Sequence, residues 1–476
     1  MTRAQEIACL ADKYDVANVP GYLSYPPVHR WHQPITEDTV RALLATEARR
    51  AEDAYVYAHF PYCEALCYYC ACYMRVTSDP KGRYDAYLDA MEREFALKLG
   101  GLRDAGERLS VGELHWGGGT PTYMDCAQIE RAYRIIDDHV RWRPQATRSI
   151  EAYPDARVLS DDKLRLLRDL GFDQISFGVE SLDPKVLQAI NRRHELASIR
   201  YFTERARALG FGVHLDVVYG LPYQTEESLR ATLRDILLVE PDRVASFAFM
   251  YTPLSVKHQR AIPVASVPGT RERLGLYRAL GEVLGAAGYQ RVGVDHYVRG
   301  ARDPLAVAAA QGRAVFHFQG YEPVERQHFF GFGSAAVSYL QHRYFQNVHD
   351  VRDYVAALSE GRLPLQTQRA AVLGDEDRLR HRIIMKSLMA DLAIDKDAIE
   401  AEFGVVFDQR FAAELDRLRG FEADGLVTDP SARRVAVTET GRAFVRNIAQ
   451  VFDAYATPLR RRVHLPTVSP REELAP

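Results

Sequence analysis

Residues 54–72 read AYVYAHFPYCEALCYYCAC. The first seven, AYVYAHF, are apolar and aromatic around a single His, which predicts a buried strand. A loop follows at once, carrying Cys63-x3-Cys67-x2-Cys70 with Cys72 two residues further on. Working outward, five more runs have the same character: VGELHW (111–116), SIEAY (149–153), QISFGV (174–179), VHLDVVYG (213–220) and RVASFAFMY (243–251). Such runs suit parallel strands covered on both faces. Helical periodicity fills the segments between them. Leu88, Met91, Phe95 and Leu99 fall on one helix face, and DDKLRLLRDLGF sets Leu164, Leu167 and Leu170 at three-residue steps before a capping Gly171. Six β/α units in order predict an α/β chain built on a partial (β/α)6 barrel, TIM-like, with its chemistry at the C-terminal strand ends. The cysteine loop follows the first strand, so it belongs to that end.

Beyond residue 255 the alternation weakens. RERLGLYRALGEVLGAAGYQ (271–290) predicts a helix leading into a strand at RVGVDHY (291–297), and 300–345 is rich in Gly, aromatics and His without a clear element. From 375 the pattern changes. RIIMKSLMADL and FAAELDRLRGFEADG read as amphipathic helices, LVTDPSARRVAVTETG as a hairpin, and a last helix begins near Gly441, a mostly helical, winged-helix-like outline. Four parts are expected: an N-terminal extension over the barrel mouth (1–49), the core barrel (50–255), a barrel-completing, substrate-side region (256–360) and the helical C-terminal domain (361–476). A chain of 476 residues suits one large domain with smaller ones, and 47% hydrophobic against 26% charged residues suits a globular protein. Lys+Arg of 61 against Asp+Glu of 64 gives a net charge of -3, which offers no bulk attraction to nucleic acid or acidic membranes. The candidate recognition helix mixes acids with its bases, which favours packing over DNA binding. The opening MTRAQEIACLADKYDVANVP is not a secretory signal, and no stretch stays apolar for the ~20 residues of a membrane span. A cytoplasmic enzyme is expected.

Four of the six cysteines lie in CEALCYYCAC, with Cys9 and Cys126 far away. A disulfide framework spreads its cysteines; a crowded set in a reducing compartment reads as metal ligands. Three thiolates on one tight loop can hold three irons of a [4Fe–4S] cluster and leave the fourth open for a small chelator. Zinc accepts the same ligands, but structural zinc usually pairs two C-x2-C units and no second pair exists here. Both metals stay open on residue type alone. The glycine run HWGGGTPTY (115–123) follows the second strand, where absent side chains let backbone approach a ligand closely.

C-x3-C-x2-C at this place in a six-unit barrel resembles the radical S-adenosylmethionine superfamily, and the chain as a whole is similar to its oxygen-independent coproporphyrinogen III oxidases. The resemblance runs from about Tyr22 to about Tyr455 through YLSYP (22–26), YAHFPYCEALCYYCAC (57–72), HWGGGTPTY, SIEAYP (149–154), SFGVES (176–181), NRRHE (191–195), LDVVYGLPYQT (215–225), GYQRVGVDHY (288–297), FQGYEP (318–323), GFGSAAVS (331–338) and RNIAQVFDAY (446–455). It implies a radical S-adenosylmethionine barrel in which Cys63, Cys67 and Cys70 ligate the cluster. Tyr57, Gly118, Glu151 and Val337 are then expected around a first S-adenosylmethionine. Tyr69, Gly119, Thr120, Glu180, Arg192, Asp216 and Met250 are expected around a second. The implied reaction forms a 5′-deoxyadenosyl radical and oxidatively decarboxylates two propionates of coproporphyrinogen III to vinyl groups, giving protoporphyrinogen IX. A tetrapyrrole is thus the expected small-molecule substrate. An electron donor such as flavodoxin or ferredoxin, a monomeric state, and neither nucleic-acid nor membrane partners complete the expectation.

The same residues have blander readings. Asp216 suits a helix cap after a strand, and Arg192 with Arg193 suits a surface pair. Glu151 inside a strand needs a partner. His59 suits a satisfied core histidine, and His296 either serves substrate or bridges strands. The chain also departs from the family's usual pattern at Gly21 and Leu23, at Tyr153, at Glu180 where the family has glutamine, in AFMYTP (248–253) and at His317. Glu180 and the missing arginine at Gly21 and Leu23 favour an alternative, a related radical methyltransferase or cyclopropanase that uses the second S-adenosylmethionine on another substrate. A haem-binding or haem-delivery protein is a third reading; the related haem chaperones usually carry an aromatic residue where this chain has Cys72, which counts against it.

Overall fold

A computed structural model describes residues 10–16 and 19–456; Cys9 lies outside the described residues. The main sheet has twelve strands: β1 (Ala54–Phe60), β2 (Leu109–Gly118), β3 (Val140–Ala152), β4 (Gln174–Glu180), β5 (Gly212–Tyr219), β6 (Arg243–Ala248), β7 (Tyr289–Val292), β8 (His296–Arg299), β9 (Phe329–Phe332), β10 (Val337–Leu340), β11 (Arg343–Asn347) and β12 (Leu365–Val372). Their order is β12-β11-β10-β9-β1-β2-β3-β4-β5-β6-β8-β7. From β9 through β1 to β6 every pair is parallel. The two flanks, β10–β12 and β8–β7, are antiparallel. The result is an open barrel with helices outside.

Strict alternation within each strand sorts its side chains. Val56, Ala58, Leu114, Trp116, Ile150, Ile175, Phe177, Val213, Leu215 and Val244 are buried on the outer face, under helices such as Pro80–Asp104, Cys126–Asp137 and Asp161–Asp169. The inner face is polar. Tyr57 pairs with His115, and His115 with Ser149. The next layer runs Glu151–Ser176–His214, and the next Gly178–Asp216–Ala245–His296. The strands are therefore covered by apolar packing on one face only; the other lines a lumen.

Helix Pro80–Asp104 buries Leu88, Met91, Phe95 and Leu99, as its periodicity predicts. It also buries a charge pair. Glu94 and Lys98 are 2.6 Å apart and both buried. Glu94 accepts from Gly333 N (2.7 Å), Tyr354 OH (2.6 Å) and Asn347 Nδ2 (2.6 Å), and Lys98 Nζ donates to Gly331 O (2.7 Å). This network clamps the helix to β9 and β11 beside β1.

Three expectations need correction. RVGVDHY is not one strand but a turn between β7 and β8: Gly293 takes φ +53 there, and a Cβ would meet the Tyr321 ring at 2.2 Å. The third strand starts at Val140 rather than Ser149; its first half, RWRPQATR, is polar and irregular, with Gln145 at φ +65, so no apolar alternation announced it. RIIMKSLMADL is wound largely as π-helix over Arg382–Ala390. The unassigned 300–345 region supplies β9, the parallel neighbour of β1. In the C-terminal part, Val427 bridges Val437 as the expected hairpin does, and Ala393–Asp395 adds a strand to Arg434–Ala436. The N-terminal segment passes Met250 at Gly21, stacks Trp31 on Tyr344 (4.8 Å) and bridges β12 through Gln33 and Ala370. No helix among the described residues is long and apolar enough to cross a membrane.

Breaking the buried pair leaves an uncompensated charge. Glu94→Ala should lower the unfolding free energy by about 3–5 kcal/mol in urea titrations, and adding Lys98→Met should recover much of it. A loss under about 1 kcal/mol, the range of exposed pairs, would contradict the clamp.

Candidate functional site

The chain leaves β1 at Phe60 and forms the cysteine loop directly over the end of β2. Gly119 N donates to Phe60 O (2.8 Å) and Thr120 N to Tyr62 O (3.0 Å). A Cβ on Gly119 would lie 2.8 Å from Phe60 O, Pro61 C and Tyr62 O, so only glycine permits both bonds. The loop is tied on its other side by Tyr68 N to Ile190 O (2.9 Å) and Asn191 Nδ2 to Leu66 O (2.7 Å). Three thiols share the enclosed space. Burial pushes Cys63 up to about 12, against the Thr120 hydroxyl, which donates to its Sγ at 3.5 Å. Burial also raises Cys67, opposed by Arg192, whose Nη1 is 3.6 Å from its Sγ. Cys70 is lowered, first by its hydrogen bond with Cys72, and Cys72 is raised by the same bond.

These residues fit a thiolate-bound metal group. The loop offers three soft donors, with Arg192 and Thr120 placed to support their anionic form. Among the described residues no three His, Cys, Asp or Glu side chains converge as they would around a single ion, so the fit rests on donor chemistry and the glycine cradle.

Three carboxylates face the lumen beside the loop. Glu151 accepts from Gly118 N (3.1 Å) and lies 3.2 Å from His115 Nε2; His115 Nδ1 is 2.7 Å from Ser149 Oγ. Burial works to raise the Glu151 carboxyl, but His115 and the Gly118 N–H hold it below the ordinary range. Glu180, in the left-handed region at φ +61, accepts from Tyr69 OH (2.7 Å) and pairs with Arg192 (3.4 Å); burial leaves its carboxyl raised. Asp216 accepts from Ser176 Oγ at 2.9 Å. Burial first, then the charge of Glu180, pushes it up to about 8. Arg192 serves Glu180 directly and Asp216 through its charge. It donates to Gly178 O and lies 4.4 Å over the Tyr153 ring.

The structure thus brings Tyr57, Tyr69, Gly118, Gly119, Thr120, Glu151, Glu180, Arg192 and Asp216 to one end of the lumen with the three cysteines. Tyr57 stacks on His115 (5.9 Å) and bonds His59 Nδ1 (3.0 Å). His59 is satisfied on its other nitrogen by Tyr73 O (2.8 Å). Met250 lies just past β6, 48% exposed, next to Gly21. Val337 starts β10, two strands from β1; its backbone lies against Gly331, the strand partner of Tyr57, and its side chain packs on the cluster of Trp31 and Tyr344. Two bland readings fall. Asp216 is inside a strand and caps no helix, and the Arg192 side chain is only 11% exposed. His115, Ser176 and Tyr153 partner the carboxylates and the arginine without having been singled out for it. Their signal was the two-residue spacing from Gly117, Gly178 and Glu151 that puts them on the lumen face.

Known proteins resemble the chain over nearly its whole length. Residues 57–236 match the radical SAM superfamily and residues 375–444 the HemN C-terminal domain. Oxygen-independent coproporphyrinogen III oxidase of Pseudomonas aeruginosa is 32% identical over 96% of this chain and 97% of its own. That of Escherichia coli is 34% identical over 94% of each. The solved structure of coproporphyrinogen III oxidase (HemN) from Escherichia coli, a radical SAM enzyme, superposes with TM-score 0.84 at 32% identity, covering 93% of this chain and 99% of that one.

The charge crowding has a pH signature. A carboxyl raised to about 8 contributes stability that is full below its unfolded value near ~4 and lost as pH rises through the folded value. Cofactor-free Asp216→Asn should therefore match the parent in thermal melts near pH 4 and become progressively more stable toward pH 8. Equal or lower melting temperatures for the variant across that range would contradict the crowding.

Proposed function

The chain belongs to the family of oxygen-independent coproporphyrinogen III oxidases, and from that premise we propose that it converts two propionates of coproporphyrinogen III to vinyl groups, yielding protoporphyrinogen IX, each propionate losing carbon dioxide, a hydrogen atom to the 5′-deoxyadenosyl radical and one electron to an external one-electron acceptor. It is a radical S-adenosylmethionine oxidoreductase, and its family implies a [4Fe–4S] cluster and S-adenosylmethionine. When bound, these cofactors supply a 5′-deoxyadenosyl radical able to take a hydrogen atom from a propionate side chain.

The chain's own residues do the rest. Cys63, Cys67 and Cys70 are proposed to hold the cluster as thiolates, with Arg192 and Thr120 favouring that state. Gly118 and Gly119 let backbone approach the methionine end of the first S-adenosylmethionine, with Glu151 and Tyr57 beside it and Val337 reached through Gly331, the strand partner of Tyr57. A second S-adenosylmethionine is proposed between Tyr69, Glu180, Arg192, Asp216, Gly119, Thr120 and Met250. Carboxylates held on rigid strands accept from ammonium or ribose hydroxyl groups without reorganising. Asp216, when neutral, can also donate. The single observation that carries the reading is the glycine cradle that joins the cysteine loop to this carboxylate layer. The four-part division of the chain, a cytoplasmic monomer and a donor such as flavodoxin or ferredoxin belong to the same proposal.

One observation favours a second reading. Glu180 is an ion-paired carboxylate, which accepts but does not donate when ionised, and a changed pose of the second S-adenosylmethionine suits carbon transfer to another acceptor. An anaerobic assay separates the two: reconstituted protein with S-adenosylmethionine, a strong reductant and coproporphyrinogen III, read by mass spectrometry. Oxidase activity gives a divinyl tetrapyrrole with 5′-deoxyadenosine, and Cys67→Ala should lose both products. Cofactor cleavage beside an untouched tetrapyrrole rejects the substrate, and S-adenosylhomocysteine would support the second reading.

A further inference from the structure

Two strands along the wall from Asp216 stands a polar group that none of these roles uses. His296 opens β8 and pairs with Ala245 of β6, which pairs with Asp216 of β5. Residues paired across adjacent strands share a face, and strands lie about 4.8 Å apart. The imidazole is therefore in the Asp216 layer of the lumen, about 10 Å further round the wall. One nitrogen is committed. Nδ1 is 2.9 Å from Asp295 Oδ1, and buried Asp295 lies 3.5 Å from Arg446 Nη2 through its other oxygen. Nδ1 thus carries a hydrogen, and Nε2 is left for the lumen.

The ring is also locked in place. Tyr321 meets it edge-on at 4.8 Å and Phe247 at 6.0 Å. Gly320, at φ +118, sits where a Cβ would come 3.5 Å from Nε2 and cover it. Phe247, two residues beyond Ala245 on the same face of β6, is 43% exposed. An apolar ring beside a fixed imidazole is the complement of a greasy macrocycle with an acidic edge.

We propose that His296 is a substrate-binding residue that takes one propionate carboxylate of the tetrapyrrole on Nε2–H, with Phe247 against the macrocycle and Asp295 as its positioning residue. The proposal rests on the substrate reading given above. The propionate is proposed to bind together with a proton, so that one ring N–H serves Asp295 and the other the propionate. Arg446 and His296 then meet two carboxylates, and the group is neutral when the substrate is seated. Glu151, whose carboxyl is held below its ordinary range, disfavours an acidic edge beside the cysteine loop, which the His296 ring does not.

Coproporphyrin III, the stable oxidised form, and its tetramethyl ester serve as probes, titrated into the full-length protein and followed by porphyrin fluorescence. His296→Gln should weaken coproporphyrin III binding about tenfold, the scale of a charged hydrogen bond, and leave the ester unchanged. His296→Arg, which keeps a cation, should recover most of the loss, and Asp295→Asn should reproduce it. Unchanged acid binding in His296→Gln, or an equal loss for acid and ester, overturns the proposal. Failure of the parent protein to bind either porphyrin contradicts the tetrapyrrole reading itself, and the proposal with it.

Discussion

Two backbone hydrogen bonds, from Gly119 N to Phe60 O and from Thr120 N to Tyr62 O, join the end of the second strand to the start of the cysteine loop. They exist because Gly119 has no Cβ to strike the three backbone atoms it would meet at 2.8 Å. Through them the thiols take a fixed position relative to the lumen. Gly118 N, one residue earlier, orients Glu151, and Thr120 reaches Cys63. Sheet, loop and carboxylate layer are thus one rigid unit, which suits a site whose reactive partners must be held in register.

The lumen is electrically divided. On the cysteine side, Glu151, Glu180 and Asp216 share Arg192 and His115 as their main counterweights, and the crowding shows in the raised carboxyls of Glu180 and Asp216. S-adenosylmethionine brings a sulfonium and an ammonium group, so a cationic cofactor is matched to that wall. Two strands further along the same wall, Arg446 and His296 flank Asp295.

Much of this could be read in the residues. The six parallel strands and the helices over them follow from apolar runs and helical spacing, because burial under helices imposes both. What escaped depended on distant pairing. β9 is four residues of FFGF in an aromatic, glycine-rich stretch, and its place beside β1 is set by contacts with helix Pro80–Asp104 far away in sequence. The β7–β8 turn was hidden because Val292, Val294 and Tyr297 around it read as one strand; Gly293 takes a positive φ there, with Tyr321 filling the space a side chain would need. Among site residues, the cysteines and glycines announce themselves by spacing. Arg192 was expected at the cofactor site only through the family resemblance, because nothing local shows that it folds inward over Tyr153. His115 stood next to the glycine run, but its role appears only when strand pairing brings Glu151 within reach.

The central claim is that three thiolates hold a cluster that keeps one iron for S-adenosylmethionine. Iron and sulfide analysis of the anaerobically reconstituted protein, joined to electron paramagnetic resonance of its reduced form with and without S-adenosylmethionine, tests it directly. The account requires about four irons and four sulfides per chain and a signal that changes when S-adenosylmethionine is added. Stoichiometric zinc without sulfide, or a cluster signal indifferent to S-adenosylmethionine, would contradict it.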